Sequence, residues 1–299
     1  MLKTKKIILF ICAMIMVVGL VGCQSKTEET KEIHIGHKNY TEQRIVGQLY
    51  AVMIENNTDY ATKVTEFGGT QLVLEALKND EVDFYGEYTG TLYATVLNAA
   101  GETNSEKVYD EVKSHMETEY AFSISNPIGF NNTYTLSVPQ EVAVKYNLEK
   151  ISDLTEVASE LRLGAAMEFL ERADGLPGVK EVYGIDFKSE TGLDPGIRYT
   201  AVENGDVDII DAFSTDGKIL QYNLKVLKDD KEFFPPYYMV TMLSGEFAKA
   251  YPDVAEVLKK LEGQISDDEM QKMNFLVDKE GLPEKKVAED FLREKGLIE

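Results

Sequence analysis

Val82-Asp83-Phe84-Tyr85-Gly86-Glu87-Tyr88-Thr89-Gly90-Thr91 is the stretch on which the fold turns. Val82 to Tyr85 reads as a short buried strand that stops and gives way to a helix. Where it stops it presents a ring, Tyr88, and two hydroxyls, Thr89 and Thr91. The series returns at 201–216, an offset of 201 − 76 = 125 residues. Ala76, Asn79, Val82 and Asp83 fall on Ala201, Asn204, Val207 and Asp208. Leu77 matches Val202, Glu81 matches Asp206, Tyr88 matches Phe213 and Thr89 matches Ser214. Any α/β chain repeats helix, turn and strand, but the matched ring and hydroxyl lie beyond that generic unit. The chain therefore reads as two similar α/β halves, each with an aromatic ring at the carboxyl end of a strand. Ligands of open α/β sheets sit at that edge, and two such edges facing one another make a cleft between lobes.

Outward from this unit, Glu32 to Gly36 alternates as a strand and His37 to Thr41 follows as a loop. Glu42 to Glu55 is a helix that Thr41 could cap. Val64 to Phe67 is a second strand, Gln71 to Lys78 a helix, and Glu106 to Tyr120 an outer helix. Tyr134 to Val138 resumes as a strand after the Asn131-Asn132 break, and Leu161 to Gly164 echoes Ile33 to Gly36. Phe233 to Tyr238 is extended because Pro235 and Pro236 forbid a helix, and Met239 to Leu243 is the strand that returns to the first lobe. The helices at 254–261, 267–277 and 284–295 are expected to pack rather than to do chemistry, with Met270 and Met273 as core. One lobe is thus discontinuous, 32–130 plus 238–299, and the other continuous, 131–237, with two crossings between them.

The chain has 299 residues, enough for two ordinary domains or one large one, and its formal net charge of -21 argues against nucleic acid or an anionic membrane surface as partner. Residues 1–22 read as an export signal: Lys3, Lys5 and Lys6 precede an apolar run too short for a comfortable membrane span. Leu20-Val21-Gly22-Cys23 resembles the lipobox of bacterial lipoproteins, which implies that Cys23 becomes the N-terminus and carries lipid. Residues 23–31 are a polar tether. The 2 cysteines are Cys12 and Cys23, so the exported domain has no disulfide and no thiol chemistry.

Catalytic machinery is hard to assemble from these residues. Of the 3 histidines, His34 lies on a half-exposed strand, His115 on an outer helix, and neither they nor His37 sit in a cluster suited to a metal. Ser214 has no histidine placed to activate it, and capping by Ser214 or Thr215 is its ordinary alternative. No cofactor motif appears. The aromatic residues say more, with 16 Tyr, 13 Phe and no Trp. Tyr88, Tyr134, Phe213 and Tyr237 all fall at loops on the expected cleft. Singly each reads equally well as a half-buried ring; together they suggest a cage, since ring faces attract a cation that cannot hydrogen-bond. Lys38 and Arg172, on matching loops of opposite lobes, would clamp an anion, with Thr91 adding a hydroxyl. The set fits a zwitterion with a quaternary ammonium at one end and a carboxylate at the other.

Several motifs, in order over nearly all of the mature chain, resemble the glycine betaine/carnitine/choline-binding proteins of osmoprotectant ABC transporters. They are Gly36-x-Lys38-Asn39-Tyr40-Thr41-Glu42-Gln43, Gly68-Gly69-Thr70, Glu87 to Thr91, Gly129 to Tyr134, Glu168-Phe169-x-x-Arg172-x-Asp174 to Gly178, Ser214 to Gly217 and Phe233 to Tyr238. The resemblance implies the two-lobed periplasmic-binding-protein fold (type II, a Venus-flytrap), closure around ligand, and delivery to a membrane permease driven by an ATPase subunit. It implies a cage of Tyr88, Tyr134, Phe213 and Tyr237 with the Asn132 backbone nearby, and a carboxylate clamp of Lys38, Thr91 and Arg172. Phe213 stands where the family commonly has Tyr, and Gly86 where a proline is common, which would loosen the approach to Tyr88. The expectation is an extracytoplasmic, lipid-anchored, monomeric binding protein, periplasmic if the cell has an outer membrane. The alternatives are an amino-acid-binding protein of the same fold, with Asp216 or Glu87 facing the ammonium, and an exported hydrolase.

Overall fold

The computed structural model describes residues 32–99, 101–194 and 196–299, and the signal, the tether and Cys23 lie outside them. The chain runs through β1 (Glu32–Lys38), α1 (Thr41–Asn57), β2 (Ala61–Phe67), α2 (Thr70–Lys78), β3 (Phe84–Tyr88), α3 (Thr89–Thr95), α4 (Ser105–Glu119) and β4 (Ser123–Ile124). It continues as β5 (Tyr134–Pro139), α5 (Gln140–Tyr146), β6 (Arg162–Ala165), α6 (Met167–Glu171), α7 (Leu176–Tyr183), β7 (Ser189–Gly192), α8 (Ile197–Glu203), β8 (Ile209–Phe213), α9 (Gly217–Gln221) and β9 (Leu224–Leu227). It ends with β10 (Met239–Leu243), α10 (Gly245–Ala250), α11 (Pro252–Lys259), α12 (Asp267–Asp278) and α13 (Glu284–Glu294).

These strands make two five-stranded sheets of matching order, β2-β1-β3-β10-β4 and β7-β6-β8-β5-β9. In the first, β1 is parallel to β2 and β3 while β10 is antiparallel to β3 and β4. In the second, β6 is parallel to β7 and β8 while β5 is antiparallel to β8 and β9. The chain passes to the second sheet just before β5 and returns just before β10. The two passing segments are tied together: Asn131 pairs with Tyr238, the Asn132 N–H donates to the Tyr237 carbonyl at 3.1 Å, and the Tyr237 N–H donates to Asn131 Oδ1 at 2.7 Å.

The internal repeat is visible bond by bond. β3 and β8 are separated by the same 125 residues, 209 − 84. Asp83 Oδ2 accepts the His34 N–H at 2.7 Å while the Asp83 N–H donates to the His34 carbonyl at 2.8 Å. Asp208 Oδ2 and the Asp208 N–H do the same with Arg162, both at 2.8 Å. Each aspartate thus locks the turn before one strand onto its parallel neighbour. Beside them, Gly36 and Gly164 leave room for Val82 and Val207. A Cβ on Gly36 would lie 3.4 Å from Val82 and 2.8 Å from Val73, and one on Gly164 would lie 3.0 Å from Val207 and 2.8 Å from Leu193.

Apolar residues alternate along the strands and fill cores on both faces of each sheet, as parallel sheets require. Phe84, Tyr88 and Met239 pack with α1 and the C-terminal helices, while Tyr85, Val240 and Met242 face α2 and α4. Met270 and Met273 are buried in the first of these cores. In the second sheet Ile209 and Ile210 likewise point to opposite cores.

Several local expectations need correction. β3 is shifted along the chain from Val82–Tyr85 to Phe84–Tyr88, and all of it is buried, Glu87 included. β1 runs through His37 and Lys38 rather than ending at Gly36, because it pairs with β2 as far as Lys38–Phe67. Thr41 does not cap α1: its hydroxyl donates to Asp278 Oδ1 at 2.6 Å, and the capping position belongs to Tyr40. Gly86 gives no slack, since a Cβ there would lie 2.9 Å from Met239 Sδ and 3.0 Å from Val46.

Candidate functional site

The carboxyl ends of β3 and β8, the start of β5 and the returning segment before β10 meet at a cavity of about 530 Å³. Lys38, Tyr88, Thr91, Asn132, Tyr134, Arg172, Phe213 and Tyr237, all singled out from the sequence, line it. The strands explain the convergence. Tyr88 is the last residue of β3, and its repeat partner Phe213 the last of β8. Tyr134 opens β5 directly opposite Phe213, so their rings stack at 4.9 Å with an interplanar angle of 26°. Phe169 and Phe234 hold the back of Tyr134 at 5.3 and 6.2 Å. The Arg198 guanidinium lies 5.9 Å from the centre of the Phe213 ring.

The rings carry no charge of their own at ordinary pH. Burial pushes the Tyr134 phenol up to about 12. It raises Tyr237 too, with Asp174 adding to the effect. Tyr88 is raised well above the ordinary range by burial and by Glu42, whose Oε1 accepts the Tyr88 hydroxyl at 2.6 Å. What they offer a solute is ring surface.

The cationic side chains already hold carboxylates of the chain itself. Lys38 Nζ lies 2.5 Å from Glu87 Oε1, with side chains only 6% and 0% exposed, and 5.1 Å from the centre of the Tyr88 ring. Arg172 grips Asp174 in a two-bond fork at 2.7 and 2.5 Å, which raises its pKa further. The Asn132 backbone N–H, placed near the cage by the resemblance, is committed to Tyr237, and its side-chain amide donates to Glu42 Oε1 at 2.8 Å instead. Thr91 lines the cavity from the first turn of α3.

Other lining residues escaped the sequence reading. Glu42 is 3% exposed and gathers donors from Tyr88, Asn132 and Asn274, yet burial still raises its pKa. Its place in the first turn of α1 is where acids ordinarily complement a helix, so nothing in the local sequence marked it. Arg198, also buried, pairs with Asp211 at 2.6 Å and reaches Asp216 at 3.4 Å. Asn274 and Asp278 bring α12 to the cavity, contrary to a purely packing role for the C-terminal helices. Gly217 permits this approach, because a Cβ there would fall 2.4 Å from the Phe275 nitrogen. The Gln271 and Asn274 amides then donate to the Ser214 and Thr215 carbonyls at 3.0 and 2.9 Å.

The alternative chemistries find little support. Glu87 is wholly buried against Lys38 and does not line the cavity. Asp216 does line it, but Oδ2 accepts from the Phe213 N–H at 3.1 Å and from the Tyr199 hydroxyl. The Ser214 hydroxyl donates to the Asn131 carbonyl at 2.5 Å, so it neither caps α9 nor meets a histidine. Among the described residues no group of three His, Cys, Asp or Glu is placed to hold a metal ion. None of their helices is long and apolar enough to cross a membrane.

Residues 31–294 match the family model described as the substrate binding domain of an ABC-type glycine betaine transport system. The carnitine transport binding protein OpuCC of Listeria monocytogenes is 35% identical over 284 residues, 94% of this chain and 92% of that protein. The ergothioneine transport permease/ergothioneine binding protein EgtU of Helicobacter pylori is 34% identical over 271 residues, which is 90% of this chain but 48% of that longer protein. Among solved structures, a glycine betaine/carnitine/choline ABC transporter protein superposes with a TM-score of 0.85 at 31% identity, over 89% of this chain and all of the other. The fold, the cavity and these relationships agree, and the family is one of transport proteins rather than enzymes: the chain belongs to the substrate-binding domains of ABC-type glycine betaine transport systems.

Proposed function

We propose that the chain captures quaternary ammonium osmolytes such as glycine betaine, carnitine or choline outside the cytoplasm and hands them to an ABC permease with its ATPase subunit. The observation that carries this reading is the convergence of Tyr88, Tyr134, Phe213 and Tyr237, from four separate segments, on one cavity. Each ring face contributes roughly 0.5–2 kcal/mol toward a cation that cannot hydrogen-bond. In this reading 32–130 with 238–299 forms one lobe and 131–237 the other, and ligand favours the closed state because only that state completes the cage. Arg172 supplies the anion clamp by exchanging Asp174 for the ligand carboxylate, an easy exchange for a partly exposed pair. Lys38, neutralised by Glu87, fixes the wall behind Tyr88 rather than reaching for the carboxylate, and Thr91 offers a hydroxyl. The mature chain is a monomer held at the membrane by lipid on Cys23.

A larger betaine is a second reading. The cavity of about 530 Å³ is roomy for glycine betaine, and the name of the Helicobacter relative points to ergothioneine. Calorimetric titration of the protein from Gln24 onward with glycine betaine, carnitine, choline and ergothioneine tests both. Tight binding of the carboxylated ligands over choline supports cage and clamp together. Binding of choline alone removes the clamp, and binding of none of the four removes the reading.

A further inference from the structure

Beside the first cavity lies a second, of about 480 Å³. Arg172 and Tyr237 line both, so these two side chains stand between them. The second cavity is walled by Tyr93 and Ala94 of α3 and by Phe233, Pro235 and Pro236 of the returning segment. Most of its exposed wall is apolar, while Glu102, Asp174, Lys231 and Glu232 also line it. Its shape is set by close approaches that only glycine allows. A Cβ on Gly90 would lie 2.6 Å from the Pro236 carbonyl oxygen and 2.8 Å from the Tyr237 ring, and one on Gly178 would lie 2.4 Å from the Phe233 ring.

The two halves of the partition differ. Tyr237 is fixed by Gly90 and by the bond from its N–H to Asn131 Oδ1 at 2.7 Å. Arg172 forks onto Asp174 and also meets the Tyr237 hydroxyl, but its side chain and that of Asp174 are 43% and 26% exposed, and pairs this exposed contribute little and separate readily. Arg172 is therefore the side of the partition that can give way.

We propose that the second cavity is a subsite for an apolar arm of the ligand whose quaternary ammonium occupies the first, so that acyl-substituted betaines are bound as well as compact ones. This rests on the quaternary ammonium reading above. It follows from chemistry at the two ends: ring faces for a cation in the first cavity, a partly exposed guanidinium between, and a mainly apolar wall beyond it that gains by removing apolar area from water.

Carnitine and its O-hexanoyl ester share both charged ends and differ only in the arm, so calorimetric titration with the pair tests the subsite. The unaltered protein should bind the ester about tenfold more tightly than carnitine. Ala94→Phe fills the second cavity from an exposed position outside the first. It should bring the ester back to the level of carnitine while carnitine itself stays within about twofold. Ala94→Ser should leave the ester's advantage in place, which shows that the loss comes from filling. An ester that binds no better than carnitine, or an Ala94→Phe variant that weakens both ligands alike at an unchanged melting temperature, overturns the subsite but leaves the cage standing. Failure of carnitine, choline and the ester together overturns the cage and the subsite with it.

Discussion

Lys38→Met probes a buried ion pair at the edge of the site. Lys38 and Glu87 join β1 to β3 with a contact of 2.5 Å, and neither side chain is more than 6% exposed. Removing one partner of a buried pair strands the other, at a loss of about 3–5 kcal/mol. Glu87 keeps two other donors, the Tyr88 N–H at 2.8 Å and, more weakly, the Tyr85 hydroxyl at 3.5 Å. That places the expected loss near the lower end, about 3 kcal/mol. Domains somewhat smaller than this shift by roughly 2–4 °C per kcal/mol, so the melting temperature should fall by about 6–12 °C. The double variant Lys38→Met with Glu87→Leu leaves no unpaired charge and should return to within about 1 kcal/mol of the parent. Urea unfolding of the three proteins measures both steps. The reasoning fails if the single variant is within about 1 kcal/mol of the parent, or if the double variant is as unstable as the single.

Arg172→Ala should weaken carnitine about tenfold and choline by less than about twofold, as a charge-assisted fork to a carboxylate would imply; equal losses in calorimetry would remove the clamp. Glu42→Gln should flatten the pH dependence of stability. Burial raises the folded pKa of Glu42 above its ordinary value of 4.5, so this carboxyl stabilises the fold below that value and loses the contribution as pH rises through the folded pKa. The advantage of the parent over Glu42→Gln should therefore shrink as pH rises, and parallel unfolding curves would contradict it. Gly217→Ala places a methyl 2.4 Å from the Phe275 nitrogen and 2.7 Å from its Cα, and should destabilise by about 1–3 kcal/mol. Unchanged urea unfolding would show that α12 is free to give way.

The parts of this molecule that were legible in its sequence were those written in local pattern. The repeat located β3 and β8 because strand, turn and aspartate recur at one offset, and rings at strand ends are placed by period-two alternation alone. What escaped depended on partners far along the chain. Gly86 and Glu87, a glycine and a charge, read as the end of a strand. They are its interior because Lys38, 49 residues earlier, neutralises the glutamate. Glu42 looked like an ordinary first-turn acid until Asn132, Asn274 and Tyr88 closed around it. In α12 the methionines were readable as core, but the helix was expected only to pack, whereas Asn274 and Asp278 line a cavity. Periodicity separates inside from outside and is blind to a third category, the wall of a pocket.

The equivalence of the halves has a consequence for orientation. Under the 125-residue offset Tyr88 and Phe213 coincide, and so do Thr91 and Asp216, since 216 − 91 = 125. All four line the same cavity. A container assembled from two copies of one unit is a palindrome and has no head or tail. A cargo molecule with unlike ends can be told which way to lie only where the copies disagree, and here one copy has a phenol and a neutral hydroxyl where the other has a bare ring and a carboxylate already engaged by Tyr199 and Arg198.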